Sequence, residues 1–395
     1  MELSADYEVN YDCMIQWDSS NVHFEYLTLP SGCWRYRGEG NANIVIALKD
    51  EATIIRLSKN YSGVSWSEHH KKKVERQVVF TTHVFAPLLG KYFVAKVRAV
   101  YVSPEQIQQL NECLQRIRPS HRMHKELKVP YAAAHSDFAR TLKFSSEDVD
   151  YCVEIKPKKG WWIKLHGMGD SRPNLCNYCL NQYQKLKKSK ISSRSNYCPL
   201  DLFSGNPARI VEAVISLLAN PQNNLRIFRD GRLVYSDVNK SDVYNSLEAV
   251  INEWMSSSSH QLPTTTSGIG PLKNFVYLIC LALLKPHMES TDADSGINRF
   301  FQLKNELEEL IISHSMVEQN DLLSLKLNEK KFKESNRKCC NLESSELPLG
   351  SVLSRILNAQ KLEDSDGTYI RKVFHAMNAL TQNASLLKAG WMKCL

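Results

Sequence analysis

The hydrophobic positions of the first third of the chain recur in short runs, which is typical of β-strands. The runs Ile44–Leu48 and Thr53–Leu57 are separated by a short acidic turn, which predicts an antiparallel hairpin. A further strand is predicted over Lys91–Val102, and a helix with proline in its first turn is predicted over Pro104–Ile117. Strands that precede helices in this way favour an α+β fold.

The pattern then becomes mainly helical. It predicts a strand over Val149–Ile155 and helices over Pro173–Lys188 and Asn206–Ala219. The segment Leu225–Tyr235 predicts a second hairpin, because its central Asp-Gly pair suits the positive φ angles of a type I′ turn. The apolar run Phe275–Leu284 is too short to span a bilayer and predicts a buried helix.

These elements divide the chain into four parts. They are an irregular N-terminal extension (1–33), a β-rich unit with a glycine-rich loop (34–138), a larger and mostly helical unit (139–380) and an atypical tail (381–395).

Positive charge is concentrated in one part of the sequence. The whole chain has a formal net charge of +8, and residues 151–198 alone hold ten Lys or Arg against two Asp or Glu. Such a block favours a polyanionic partner, which can be nucleic acid, an anionic membrane surface or a multiply phosphorylated small molecule. A solvated basic helix face is the alternative. Eleven cysteines without a signal-peptide pattern favour a reducing compartment, so we expect a protein of the cytoplasm or nucleus.

A glycine-rich loop, Gly-Glu-Gly-Asn-Ala-Asn, occupies residues 38–43 between two predicted strands. This is the arrangement with which protein kinases cover the phosphates of ATP. It is not a Walker A loop, since no Gly-Lys-Ser/Thr follows it. Arg56 lies on the next strand, where protein kinases place a lysine that contacts ATP. The alternatives are a structural hairpin and a solvated arginine.

The segment Glu-Ile-Lys-Pro-Lys occupies residues 154–158 at the end of a predicted strand. Glu154 and Lys156 share one face of that strand, and Pro157 ends it and leaves Lys158 at its terminus. Two lysines and a carboxylate in this position can hold phosphate. A surface strand with alternating charge is the alternative.

Cys176 and Cys179 have the Cys-x2-Cys spacing of half a zinc site. No second Cys-x2-Cys pair occurs in the sequence. Two packed thiols on one face of the predicted helix are the alternative interpretation.

Four motifs together resemble the inositol-pentakisphosphate 2-kinase family. They are Trp-Arg-Tyr-Arg-Gly-Glu-Gly-Asn (34–41), Glu-Ile-Lys-Pro-Lys (154–158), Tyr-Cys-Pro-Leu-Asp-Leu-Phe-Ser-Gly (197–205) and Gln-Asn-Asn-Leu-Arg-Ile-Phe (222–228), in the family's order. The similarity continues to about residue 380. It implies a two-lobed, kinase-like fold with a β-rich N-lobe (34–138) and a larger inositide-binding C-lobe (139–380).

The resemblance also implies an activity. A monomeric enzyme would use ATP and Mg²⁺ to phosphorylate the 2-hydroxyl of inositol 1,3,4,5,6-pentakisphosphate, giving inositol hexakisphosphate (phytate). The implied ATP site comprises Gly38, Gly40, Asn41, Ala42, Asn43, Arg56, Glu154, Ile155, Lys156 and Arg226, with an adenine-reading hinge near Ser136 and Asp137. The implied inositide site comprises Arg122, Lys156, Lys158, Asn223 and either Lys190 or Arg194.

The family's catalytic carboxylates have no counterpart in this sequence. The family carries one aspartate in an Asp-Cys-Ser-Ile-Met-Ile-like segment and another in a later Asp-x-Lys-Pro segment. Neither segment occurs here, and no Asp or Glu follows Asp366. The catalytic residues are therefore unknown, and we expect slow turnover. The alternatives are an inositide-binding pseudokinase or scaffold and a basic nucleic-acid-binding module.

Overall fold

The structure is a computed structural model. It describes residues 22–30, 32–49, 51–61, 67–140, 149–161, 176–237, 246–257, 270–287, 293–313 and 345–363. Helices and sheets are mixed, as an α+β fold requires. In these ranges no helix has both the length and the apolar character needed to cross a membrane.

A six-stranded sheet forms the N-terminal part. Its strands are β1 (Phe24–Tyr26), β2 (Trp34–Glu39), β3 (Asn43–Leu48), β4 (Thr53–Tyr61), β5 (Val97–Tyr101) and β6 (Lys125–Ser136), in the order β1-β5-β6-β4-β3-β2. The predicted hairpin of β3 and β4 is confirmed. The strand predicted over Lys91–Val102 begins later, at Val97.

One correction concerns the start of the chain, which forms an edge strand of the sheet. Residues 24–26, which the sequence placed in an irregular extension, form β1 and pair in parallel with β5. Residues 1–21 lie outside the described residues. The register is Phe24 opposite Ala99 and Tyr26 opposite Tyr101. Parallel pairing between segments more than 70 residues apart leaves no local sequence signal.

Helices cover both faces of this sheet. On one face, helix α3 (Pro104–Gln115) buries Ile107, Leu110 and Leu114 against a cluster that includes Leu57 of β4. On the other face, helix α1 (Ser67–Phe80) contributes Val74. The Ser103 hydroxyl caps α3, which explains why this predicted helix is confirmed to within two residues. A short helix, α2 (Ala86–Leu89), follows α1.

The second sheet has three antiparallel strands, β7 (Tyr151–Ile155), β8 (Leu225–Arg229) and β9 (Arg232–Ser236), with β8 in the centre. The predicted hairpin of β8 and β9 is confirmed. Asp230 and Gly231 both have positive φ, 48° and 67°, as the Asp-Gly turn requires.

Helices pack around one large core in the remaining part. They are α4 (Asn177–Lys187), α5 (Pro199–Leu202), α6 (Pro207–Ala219), α7 (Leu247–Ser257), α8 (Pro271–Leu284), α9 (Ala293–Ser313) and α10 (Val352–Glu363). The predicted helix over Asn206–Ala219 is confirmed as α6, with Asn206 as its N-cap. The predicted buried helix is confirmed as α8, in which Phe275 and Cys280 are fully buried. Helix α4 begins after Cys176, which is its N-cap.

Strand β2 brings the two sheets together. The Arg35 guanidinium donates to the carbonyl oxygen of Gly231 at 2.8 Å, at the β8–β9 turn. The guanidinium of Arg37 lies over the Phe228 ring, 4.1 Å from its centroid. Because β2 leads directly into the glycine-rich loop, these contacts fix the loop's position relative to the second sheet.

Candidate active site

The glycine-rich loop is a tight turn with an exposed tip. The Gly40 N–H donates to the Asn43 carbonyl at 2.9 Å, while Gly40, Asn41 and Ala42 are exposed. Two lysines hold the loop from below: Lys59 Nζ donates to the Gly40 carbonyl at 2.6 Å, and Lys125 Nζ donates to Asn41 Oδ1 at 2.8 Å. The loop is therefore fixed in shape and open to a ligand on its outer side.

Glu39 points inward beneath the loop. Its carboxylate accepts from Lys59 Nζ at 2.6 Å and from Arg118 through two nitrogens at 2.9 and 3.0 Å. The three side chains are at most 2% exposed. Burial alone would raise the pKa of the Glu39 carboxyl, but Arg118 and Lys59 together outweigh it and lower that pKa. Glu39 is thus an ionised, buried anchor of the loop.

The same network reaches Arg122, a predicted inositide ligand. Arg118 also donates to the carbonyl oxygens of Arg122 at 2.6 Å and of Lys125 at 2.8 Å. The one-turn 3₁₀-helix Ser120–Arg122 is therefore connected to the loop through Arg118 and Glu39. The structure places Arg122 beside the glycine-rich loop, on the side of the first sheet.

Five predicted residues meet at the edge of the second sheet. Glu154 of β7 pairs with Arg226 of β8 in the register, and their side chains are 3.7 Å apart. Lys156 Nζ donates to the Asn223 carbonyl at 3.0 Å, and Arg226 donates to Asn223 Oδ1 at 3.4 Å. Lys158 follows at the strand's end with a positive φ of 63°. The predicted ATP and inositide residues of this region are adjacent.

The lysines at this edge repel one another. Burial, followed by the charge of Lys156 and then that of Lys185, lowers the pKa of Lys158. Burial and the charge of Arg226 likewise lower the pKa of Lys156. Lys185 is on helix α4 and was not singled out from the sequence. A bound polyanion would relieve this repulsion, and electrostatic complementarity therefore favours a multiply charged ligand here.

The two alternatives for the remaining inositide ligand differ in their surroundings. The Arg194 guanidinium lies over the Tyr183 ring of α4, 4.2 Å from its centroid. Lys190 is exposed just beyond the end of α4, where its backbone N–H donates to the Lys185 carbonyl at 2.9 Å. Both remain predictions.

Gly160, two residues after Lys158, lies tightly against Phe203. A Cβ atom at this glycine would lie 1.9 Å from Cδ2 of the Phe203 ring, which is 4% exposed. The end of the Glu-Ile-Lys-Pro-Lys segment therefore packs directly on the Tyr-Cys-Pro-Leu-Asp-Leu-Phe-Ser-Gly segment.

We expect Gly160→Ala to reduce the free energy of unfolding by about 1–3 kcal/mol, because the ring is enclosed and has little room to move. Urea unfolding would measure the change. Gly40→Ala is the matched control, since a Cβ there meets no atom within 4 Å. Equal stability of the two variants would contradict this packing.

The predicted hinge acts as an anchor for β2. Asp137, 5% exposed, accepts from the Arg37 guanidinium at 3.3 Å and from the Ala139 N–H at 3.0 Å. The Asp137 N–H donates to the Ala52 carbonyl at 2.7 Å. The role of this segment in reading adenine stays a prediction, and these contacts show that Asp137 also fixes Arg37.

Arg56 lies on the face of β4 opposite to Ile55 and Leu57 and is exposed. Its charge acts on His135 of β6, which also contacts Gln77 of α1 at 3.1 Å. The cations that contact the loop directly are Lys59 and Lys125. Binding of ATP phosphates by Arg56 stays a prediction.

Protonation of His135 is disfavoured in the folded state, since burial and then Arg56 lower its pKa from 6.5 to about 4. The unfolded chain therefore binds this proton at a higher pH than the folded chain does. We expect this site's contribution to stability to be complete above pH 6.5 and to decrease as the pH falls towards 4, by roughly 2 kcal/mol for a partly exposed ring.

Urea unfolding between pH 7 and 4 measures this loss. His135→Gln should flatten the pH dependence of the free energy of unfolding. An identical pH dependence in the wild-type protein and His135→Gln would contradict the expected shift.

Comparison with known proteins supports the family that the sequence resembles. The family model described as inositol-pentakisphosphate 2-kinase matches residues 36–390. A Danio rerio protein named inositol-pentakisphosphate 2-kinase is 31% identical over 267 residues, covering 64% of this chain and 55% of the relative. An Arabidopsis thaliana protein of that name is 31% identical over 242 residues, covering 51% and 52%, respectively.

A Drosophila melanogaster protein of the same name is 25% identical over 341 residues, covering 60% of this chain and 55% of the relative. The chain thus spans about half the length of the curated relatives it matches. Because the family model matches far more than half of the residues, the chain belongs to the inositol-pentakisphosphate 2-kinase family.

Proposed function

We propose that this chain binds ATP and inositol 1,3,4,5,6-pentakisphosphate and transfers the γ-phosphoryl group to the 2-hydroxyl, giving inositol hexakisphosphate. In this proposal the six-stranded sheet is the N-lobe and the rest of the described chain is the C-lobe of a kinase-like fold. Family membership supports the reaction. The observation that carries the proposal is the lysine cluster of Lys156, Lys158 and Lys185, which adjoins the proposed nucleotide residues Glu154 and Arg226.

Charge supports the inositide as the ligand of this cluster. Five phosphates carry about −1.5 to −2 each, or roughly −7.5 to −10 together. Ammonium groups whose pKa is lowered by burial and by neighbouring cations regain favourable pairing when such a ligand binds. Asn223, held by its N–H donating to Asp237 Oδ2 at 2.7 Å, adds an amide for a phosphate or hydroxyl group.

The proposed ATP site uses the exposed loop tip and the β7–β8 edge. Backbone and amide groups of Gly38, Gly40, Asn41, Ala42 and Asn43 would cover the phosphates. Arg56, Glu154, Lys156 and Arg226 would complete the site. This proposal assigns Lys156 to both ligands, as expected for a residue at the point of phosphoryl transfer.

The described carboxylates near the cluster are mostly engaged by other groups of the protein, which does not suit a Mg²⁺ site. Asp201 is 4% exposed and accepts from Arg209 at 2.9 Å, so it is a structural ion pair. Asp237 accepts the Asn223 N–H through Oδ2, while its buried Oδ1 has no hydrogen-bond partner among the described residues, and Glu154 lies beside Arg226. Hard cations in kinases are held by carboxylates aimed at the phosphates. We therefore assign no step of the reaction to a metal held by these residues.

Because the described carboxylates near the cluster are engaged by other groups, we expect slow turnover by the 395-residue polypeptide. General-base assistance typically contributes about 10²–10⁴-fold to a rate. An inositide-binding pseudokinase or scaffold is therefore the second candidate, and the engaged state of Asp201 is the observation that favours it. A nucleic-acid-binding module has no comparable support in the described site.

Product formation tests the proposal. The protein is incubated with Mg²⁺, γ-labelled ATP and inositol 1,3,4,5,6-pentakisphosphate, and inositol hexakisphosphate is separated by anion exchange. We expect slow, ATP-dependent formation of the hexakisphosphate, well below the roughly 1–100 s⁻¹ of protein kinases. Binding of both ligands without any product would favour the scaffold, and a rate within the kinase range would contradict the expected loss of a catalytic carboxylate.

A further inference from the structure

An open cavity of about 680 Å³ lies between α2 and the start of α10. One wall is formed by the π-helical turn Thr81–Phe85 and by α2, which follows it directly. The other wall is formed by α10 and by the turn at residues 349–350 before it. Among the residues that the structure describes, none of the proposed ATP and inositide ligands lines this cavity. Since π-helical turns are rare and frequently occur at functional sites, the cavity is a candidate for a second ligand.

The lining of this cavity is positively charged. Its polar side chains come from Thr82, Lys91, Ser354, Arg355 and Asn358. The other lining residues are apolar or glycine, and no aspartate or glutamate occurs among those that the structure describes. A lining with two cations, hydroxyl groups and an amide, but without a carboxylate, favours an anionic ligand.

Arg355 is held in a fixed orientation in the cavity wall. Its Nε donates to the Gly350 carbonyl at 3.0 Å, and its Nη1 donates to the Leu89 carbonyl at 3.2 Å. The guanidinium also lies over the Phe93 ring, 4.9 Å from its centroid. The two hydrogen bonds use two of the five N–H groups of the guanidinium, so three remain. A guanidinium fixed in this way is already oriented for the oxygens of a phosphate group.

Neither cation of the cavity is paired with a carboxylate in the described part of the chain. Arg355 donates only to backbone carbonyls there, and Lys91 Nζ lies over the Tyr92 ring, 4.9 Å from its centroid. Burial of a charge is costly without a counter-ion, and Arg355 is partly buried. An anion bound in the cavity would supply this counter-ion.

We propose that this cavity binds a phosphorylated small molecule, with its phosphate group on Arg355 and Lys91 and its apolar part against Leu88 and Leu349. Arginine suits phosphate because its planar N–H groups match the phosphate oxygens, and Lys91 adds a second charge. The volume of about 680 Å³ is within the roughly 300–1,000 Å³ of small-molecule sites. Asn358 supplies an amide for a further oxygen of the ligand.

Helix α10 connects this cavity to the phosphate-binding edge of the second sheet. Gln360 of α10 accepts from the Gly160 N–H at 2.8 Å through Oε1 and donates to the Lys158 carbonyl at 2.8 Å through Nε2. Arg355 and Gln360 are about 7.5 Å apart along the helix axis. A ligand that fixes Arg355 would therefore stabilise the backbone that carries Lys158. Binding in the cavity does not depend on the proposed function, whereas its effect on inositide affinity does.

Isothermal titration of phenyl phosphate into the full chain tests the proposal, because this probe combines a phosphate group with an apolar ring. We expect saturable binding that is at least about 10-fold weaker in Lys91→Met, the usual effect of losing one charge-assisted hydrogen bond. Lys91 is exposed, so its replacement should leave the fold intact. Lys304→Met removes the same charge from α9 and should bind phenyl phosphate as the wild-type protein does. Inorganic phosphate should bind more weakly, because it lacks the apolar contact.

The same titrations distinguish this cavity from the lysine cluster. Lys158→Met should bind phenyl phosphate as tightly as the wild-type protein, since Lys158 does not line the cavity. The proposal is overturned by equal binding to the wild-type protein and Lys91→Met, by equal affinity for phenyl phosphate and inorganic phosphate, or by loss of binding in Lys158→Met.

The connection through α10 is tested separately. Saturating phenyl phosphate should lower the Kd of inositol 1,3,4,5,6-pentakisphosphate by about 5-fold or more. Gln360→Ala should abolish this change without affecting the binding of phenyl phosphate. An unchanged Kd while phenyl phosphate is bound would disprove the connection. Binding of phenyl phosphate without any binding of the inositide would support the cavity site and contradict the proposed function.

Discussion

Glu39→Gln is expected to reduce the free energy of unfolding by about 3–5 kcal/mol, which is the usual cost of removing one partner from a buried ion pair. The substitution keeps the side chain's size but removes the charge that compensates Lys59 and Arg118, both at most 2% exposed. Two buried cations would then remain without a carboxylate. Urea unfolding at pH 7 measures the effect.

An exposed ion pair on the same sheet provides the control. Glu25 pairs with Arg98, and the two side chains are 46% and 44% exposed. Glu25→Gln should change stability by less than about 1 kcal/mol, because solvent screens such pairs. An equal decrease in the free energy of unfolding of the two variants would show that the buried Glu39 network stabilises the protein no more than an exposed ion pair does.

The pH dependence of the free energy of unfolding is a second measure of the contribution of Glu39. Since Arg118 and Lys59 lower the pKa of this carboxyl in the folded state, its contribution is present above the unfolded pKa of about 4.3. It is lost as the pH falls through the folded pKa. In Glu39→Gln, the decrease in the free energy of unfolding at low pH that comes from protonation of Glu39 should therefore be absent. The affinity for ATP should also fall, because Glu39 supports the glycine-rich loop.

Lys158→Met is expected to weaken binding of inositol 1,3,4,5,6-pentakisphosphate by about 10- to 100-fold, the equivalent of a charge-assisted hydrogen bond worth roughly 1.5–3 kcal/mol. The apolar stem is retained, but the ammonium group is lost. Its neighbours Lys156 and Lys185 stay in place, so affinity falls without disappearing. Isothermal titration measures the change in Kd.

Lys304→Met is a suitable charge-matched control. Lys304 pairs with Glu308 within helix α9, and its removal should leave inositide affinity unchanged at constant salt. If both variants weaken binding equally, the effect is one of overall charge and Lys158 is no specific ligand. A long RNA that binds more tightly than the inositide, with a steep salt dependence, would instead favour the nucleic-acid interpretation.

Local sequence signals predicted much of the fold. The Asp230-Gly231 turn determines the β8–β9 hairpin because few residue pairs tolerate two positive φ angles. Ser103 before Pro104 similarly determines the start of α3. Strand β1 was missed, because β5, its partner among the described strands, is distant in the sequence and three residues give no clear period.

Local sequence signals likewise predicted part of the candidate site. Glu154, Lys156 and Lys158 were identified because they form a compact motif at the end of one strand. The pairing of β7 with β8 places Glu154 opposite Arg226. Glu39 was not identified, because a charged residue between two glycines normally faces solvent. The sequence did contain one indication of a buried charge network. Lys59 follows Ile55 and Leu57 on the buried face of β4, where a lysine needs a partner.

The association of Lys59 with Glu39 and Arg118 depends on tertiary structure. A register shift between Leu57 and Lys59 in the pairing of β4 with β6 changes the strand at this position. Arg118 approaches from beyond the end of α3, 79 positions away from Glu39 in the sequence. No periodicity or spacing connects these residues before the sheet is assembled.

Calorimetric titration of inositol 1,3,4,5,6-pentakisphosphate into the wild-type protein, with a non-hydrolysable ATP analogue present, shows whether the lysine cluster binds the inositide. The lysine cluster beside the proposed nucleotide residues predicts saturable binding of one inositide per chain. It also predicts weaker binding of inositols that carry fewer phosphates. Absence of saturable binding, or equal affinity for inorganic phosphate and the pentakisphosphate, would contradict the account.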